Sequence, residues 1–441
     1  MRPVVIGAVL TALGMSAANA QQACPAANGG VPPGANTSNP SAPFYIDTSG
    51  LSFVTSPPTR DPHNPNYVPA TELPDGTIPL PTQNGNFIIG PTHTAAPETV
   101  AQAGVPKGTI LSYTMTSANS VIYRPGAVRD DPNGCLDASV YTAPTVPGDP
   151  SHIIITTSHA GTWTRSVNVY MPAFYVPGPE TPFMVTGDAG ITGPTGSQLF
   201  TVLDNLIFQR RLPPMVVISI GPGGQDAQGS ERGREYDTVS GDYAQWVESE
   251  VLPALEGATG LHLTRNPDGR ATIGISSSGA AAFAMAYFHP ELYRRVLAYS
   301  PTLVNQQWPH QPWLPGGAWE FHSPWAGPAL PNEEVQGFAS PTPSTLPTGV
   351  PLLVQSARKP IRFWFETGDQ DLFYPDPSLA DGMHDWVLAN EHMAAVLASK
   401  GYQYQFIFAR NAGHVDAATA AQTLPEALEW LWNGYPARRV E

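Results

Sequence analysis

Ala271-Thr272-Ile273-Gly274-Ile275-Ser276-Ser277-Ser278-Gly279 runs an apolar strand into a tight turn of small residues, and Ala280-Ala281-Ala282-Phe283-Ala284 continues as a helix. A strand turning this sharply into a helix lifts one side chain into the open, and small residues must flank it because backbone segments come close together. Gly274 and Ser278 flank Ser276 at minus two and plus two, which makes Ser276 the candidate nucleophile. Ser277 has Gly279 at plus two but the bulky Ile275 at minus two. The alternative for a serine-rich turn is a plain helix cap.

Outward from this turn, short β-branched and apolar runs alternate with helical stretches. Strands are predicted at Ile153–Thr157, Val167–Met171, Phe183–Thr186, Val216–Ile220, Ala271–Ile275, Arg295–Tyr299, Arg362–Phe365 and Tyr404–Phe408. Helices are predicted at Gln198–Arg211, Tyr243–Glu256, Ser277–Phe288, Trp386–Lys400 and Ala420–Trp432. Nearly continuous apolar strands belong in a sheet covered on both faces. The alternation therefore predicts a mostly parallel, doubly wound α/β sheet, with the first two strands forming an antiparallel start.

Two further segments complete a constellation. Glu366-Thr367-Gly368-Asp369-Gln370-Asp371 brings carboxylates to the C-terminal end of one strand, and Asn411-Ala412-Gly413-His414 brings an imidazole to the end of the next. A serine hydroxyl needs an imidazole to take its proton and a carboxylate to orient the ring. The chain order Ser276, Asp371, His414 is that of an α/β-hydrolase triad, with Asp371 preferred over Asp369 as the acid. For the developing oxyanion, the candidates are the backbone N–H of Ser277 and that of Ala189 in Gly187-Asp188-Ala189-Gly190.

Arg232, Arg234, Glu235 and Asp237 form a charge cluster that is either a structural ion-pair network or a substrate carboxylate site with Arg234 as its ligand. Trp308, Trp313, Trp319 and Trp325 fall in an insertion at about 301–360. They are read either as an aromatic cap over the strand ends, with Trp308 and Trp319 contacting substrate, or as a loop packing its own small core. His384 and His392 are not at a ligand spacing, so no metal is expected.

The remaining features bound the answer. The chain has 441 residues, 13% charged, with 21 Lys+Arg against 36 Asp+Glu and a formal charge of −15, which argues against nucleic-acid binding. Arg2, the apolar run Val4 to Leu13 and Ala18-Asn19-Ala20 read as an export signal at 1–20, too short to span a bilayer, so a periplasmic or secreted protein is expected. In such a compartment Cys24 and Cys135 suggest one disulfide. Residues 21–106, rich in proline, read as an extended strap on an α/β body spanning 107–441.

Across residues 107–436 the sequence resembles the esterase family that includes enterochelin esterases, feruloyl esterases and bacterial mycolyltransferases, within the α/β-hydrolase fold. The marks are Arg165 to Pro172, Arg234-Glu235-Tyr236-Asp237 before a helix ending Glu250-Val251-Leu252-Pro253, Gly274 to Gly279, Gly413-His414, and Leu424 to Trp432. The resemblance implies serine-dependent hydrolysis of a small-molecule or oligosaccharide-linked carboxylic ester without metal or cofactor. It supplies neither a substrate nor an oligomeric state. Acyl transfer on the same triad is a variant, and a noncatalytic binder of carbohydrate or siderophore is the alternative from another class.

Overall fold

A computed structural model of the chain describes residues 62–63, 68–128, 160–189, 193–224, 230–304, 317–322, 351–372 and 385–436, with the backbone alone of 44–47, 129, 145–146, 149–155 and 158–159. The export signal, Cys24, Cys135, Trp308 and Gly190 lie outside the described residues.

The main sheet has ten strands: β1 (Thr71–Glu72), β2 (Gly85–Ile89), β3 (Thr109–Thr116), β4 (Thr164–Met171), β5 (Phe183–Thr186), β6 (Val216–Ile220), β7 (Arg270–Ile275), β8 (Arg295–Tyr299), β9 (Arg362–Gln370) and β10 (Gln403–Gly413). Their order is β1-β2-β10-β9-β8-β7-β5-β6-β4-β3. All neighbours from β1 to β6 run parallel, while β4 is antiparallel to both β6 and β3.

Period two decides how the sheet is covered. Val216, Ile218 and Ile220 join one core, with Phe363, Phe365 and the helix α5 (Ser276–Phe288). Val217, Ile273, Leu297 and Trp364 join the other, with α1 (Ser197–Phe208) and α7 (Ala417–Trp432). Between α1 and α5 lie α2 (Glu231–Tyr236), α3 (Asp242–Trp246) and α4 (Leu252–Thr259); α6 (Trp386–Ser399) precedes β10. The central strands are buried along their whole length, as parallel strands between helical layers must be.

Two expectations need correction. The antiparallel partner of β4 is Thr109–Thr116, whereas Asp149–Ile155 pairs with Phe44–Asp47 in a separate small sheet. Within the stretch read as a strap, β2 lies parallel to β10 with Phe87 opposite Ile407, so part of that stretch is a structural edge of the sheet. Neither pairing is local, and apolar periodicity does not name a strand's partner.

Candidate active site

β7 ends at Ile275, and Ser276, the first residue of α5, takes a left-handed φ of 51°. The turn is tight enough that a Cβ on Gly274 would lie 2.1 Å from the Ser278 carbonyl oxygen. Ser278 fills the position where a second glycine is usual, and its hydroxyl closes the turn. It donates to the Ile275 carbonyl (2.8 Å) and accepts from the Ile275 N–H (2.9 Å). Room for its side chain comes from across the sheet, since a Cβ on Gly187 would lie 2.5 Å from Ser278 Cβ.

The structure brings Ser276, His414 and Asp371 together. His414 Nε2 is 2.9 Å from Ser276 Oγ, and His414 Nδ1 is 2.6 Å from Asp371 Oδ1. A carboxylate can only accept, so Nδ1 carries the hydrogen and Nε2 is left to accept from the serine. Asp371 is 2% exposed and is held by the Thr367 hydroxyl (2.9 Å) and the Leu372 N–H (2.7 Å). Asp369 does not face the imidazole; it accepts from the Ala412 N–H at 3.2 Å and so ties the β10 end to the β9 end. The approach is close enough that a Cβ on Gly368 would lie 2.2 Å from the Ala412 carbonyl oxygen.

Supports that sequence reasoning passed over surround these three. The Val415 N–H donates to Ser300 Oγ (2.8 Å), the Thr302 N–H to the Ser276 carbonyl (2.9 Å), and Trp386 stands edge-on to the His414 ring at 5.7 Å. Ser300 and Val415 have φ values of 45° and 49°, strained conformations that neither residue type announces in a sequence. Glu366, fully buried in β9 five residues before Asp371, is pushed well above the carboxylate range first by burial and then by Asp371 and Asp416. Asp385 is raised to about 7, chiefly by burial.

The other predicted residues fall differently. Ser277 is buried in the first turn of α5, at the positive end of the helix dipole. Ala189 does not offer its amide to the site, because that N–H donates to the Ile220 carbonyl at 3.0 Å. The extension of the β5–β6 pairing takes it, and the neighbouring Asp188 N–H faces Tyr236 Oη at 3.2 Å. Arg234 is not a substrate ligand; it is 6% exposed, donates to the Pro125 carbonyl (2.6 Å) and pairs with Glu231 (3.5 Å). Trp319 is 7% exposed and packs against His322 and His392 at 4.9 and 5.6 Å, a core contact in place of an open wall. Among the described residues no cluster of His, Cys, Asp and Glu could hold a metal ion, and no helix is long and apolar enough to cross a membrane.

Residues 158–337 match the family model described as "Putative esterase". No curated protein matches the sequence. Among solved structures, the enterochelin esterase of Shigella flexneri is 21% identical at a TM-score of 0.40, over 61% of this chain and 55% of that one, so the chain spans about half its length. A ferulic acid esterase of Anaeromyces mucronatus is 13% identical at a TM-score of 0.43, over 77% of this chain and 96% of that one. The feruloyl esterase module of Clostridium thermocellum is 14% identical at 0.43, over 83% and 100%. Residues 158–337 are thus similar to the family described as Putative esterase.

Proposed function

We propose that this protein is a serine esterase in which Ser276, His414 and Asp371 act as nucleophile, general base and orienting acid. The observation that carries the reading is the unbroken hydrogen-bonded chain from hydroxyl to imidazole to carboxylate, 2.9 and 2.6 Å, at the C-terminal ends of β7, β10 and β9.

The chemistry follows from the donors. As Ser276 Oγ bonds to the ester carbonyl carbon, its proton passes to His414 Nε2 and the carbonyl oxygen takes the negative charge. The first turn of α5, with the Ser277 amide, stabilises that charge through its aligned N–H dipoles. Collapse breaks the bond to the leaving oxygen, which takes the proton from Nε2 and departs as the alcohol. His414 then deprotonates a water that attacks the acyl-enzyme, releasing the carboxylic acid and returning the proton to Ser276. Asp371, 2.6 Å from Nδ1, holds and orients the imidazolium.

The test is steady-state hydrolysis of aryl esters of graded acyl length, with feruloyl and siderophore esters alongside. Turnover that Ser276→Ala abolishes is the expected result; equal turnover by that variant would refute the assignment. The aromatic wall has little support from Trp319, so a preference for aromatic acyl groups would have to arise from other residues. Export after Ala20 and a Cys24–Cys135 disulfide belong to the same reading, and the N-terminal residue and thiol titre of protein from a secreting host test them.

A further inference from the structure

A cleft of about 350 Å³ opens at the N-terminal ends of the parallel strands, the edge of the sheet opposite Ser276. Asp268 ahead of β7, Arg294 and Arg295 at the start of β8, and Arg358, Lys359 and Arg362 leading into β9 line it. That is five cationic side chains against one carboxylate, in a chain where acids outnumber bases 36 to 21. Asp268 is taken by Arg294, at 3.4 Å.

Arg295 and Arg362 make no ion pair among the described residues. Arg295 donates to the carbonyls of Asp268 (2.7 Å) and Leu431, and Arg362 donates to that of Asn433 (2.6 Å). Their guanidinium groups lie over the Trp432 and Trp430 rings at 5.3 and 4.2 Å. Nε and Nη2 of Arg362 are buried with no hydrogen-bond partner. The simpler account is that both arginines cap the end of α7. A helix C-terminus carries only about half a negative charge, however, and two full positive charges face it. Burial lowers both arginines, Arg295 to about 10 and Arg362 to about 9, and Arg295 adds to the effect on Arg362. Asp268 is the one carboxylate lining the cleft against five cations, so positive charge is in excess at this edge.

The geometry points to a multivalent oxyanion, a solute carrying two or more phosphate or carboxylate groups, bound in this cleft. Guanidinium forks match such groups two oxygens at a time, and a concave wall of five cations needs more than one negative charge to balance it. An apolar ligand would leave that balance unchanged. This inference is independent of the ester chemistry.

The test is calorimetric titration of the full chain with pyrophosphate and with citrate, against sodium chloride at matched ionic strength. Saturable binding weakened about tenfold or more in Arg358→Glu and Arg362→Gln is expected. Arg358 is exposed, so its variant keeps the fold if Arg362→Gln does not. Heat no greater than that of chloride, or equal affinity in Arg358→Glu, overturns the proposal. Cosedimentation with phosphatidylglycerol vesicles that pyrophosphate competes away would place the phosphate on a lipid headgroup. Vesicle binding without pyrophosphate binding would refute the cleft as an oxyanion site.

Discussion

Ser276 combines a left-handed φ of 51° with a hydroxyl 2.9 Å from His414 Nε2, so backbone strain falls on the residue proposed as the nucleophile. Nearby, two aspartates separate by what they touch. Asp371→Asn should cost roughly 10³- to 10⁴-fold in kcat, because an amide can hold the wrong imidazole tautomer. Asp369→Asn, which keeps an oxygen for the Ala412 N–H, should stay within about tenfold of wild type. Parallel kinetics on both variants checks this, and a larger loss at Asp369 would exchange their roles. Ser276, His414 and Asp371, which the structure places within hydrogen-bonding distance of one another, could be picked out of the sequence because each sits in a turn at a strand end, in an order that suggests a triad. Ala189 and Arg234 were misread because the partner of an amide or guanidinium is set by neighbouring segments: the Ile220 carbonyl in one case and that of Pro125 in the other.

At the level of elements, the elbow depends on a pair of residues from different strands. Gly187→Ala puts a methyl 2.5 Å from Ser278 Cβ, so it should lower both stability and turnover. Adding Ser278→Gly should recover part of the loss, and a double-mutant cycle reads the coupling; strict additivity would show that the two do not share this space. The cap of α6 has its own signature, since Asp385 accepts from the Leu388 N–H at 2.9 Å while held at about 7, above its ordinary 3.8. The unfolded chain releases that proton first, so this contribution to stability is fully present below the unfolded value and is lost as pH rises to about 7. Asp385→Asn keeps the acceptor without the titration. Urea midpoints should therefore move in the variant's favour between about pH 4 and pH 7.5, and a gap that does not change with pH would contradict the assignment. Helices and central strands were legible because period and apolar runs are local. The edge strands β1 and β2 were not, because two and five residues among prolines carry little periodicity.

On the scale of the molecule, an acidic chain buries several charges in one region. Arg165 and Glu235 form a fully buried pair, with the guanidinium between the Trp163 and Trp246 rings at 3.8 and 4.5 Å. Removing one partner leaves the other buried and uncompensated, so Glu235→Gln should cost roughly 3–5 kcal/mol in denaturant unfolding. A change under about 1 kcal/mol would mean that the rings and water already satisfy Arg165. The cluster reading offered a structural network beside a ligand site, and the described contacts of Arg165, Arg232 and Arg234 are those of a network. In the proposed mechanism the Ser276 hydroxyl, activated by His414, is the group that attacks. Mass spectrometry of peptides after treatment with a fluorophosphonate tests it most directly. One adduct is predicted, on the peptide containing Ser276 and lost in both Ser276→Ala and His414→Ala, whereas a folded wild-type protein that takes no label, or a label that survives Ser276→Ala, would contradict it.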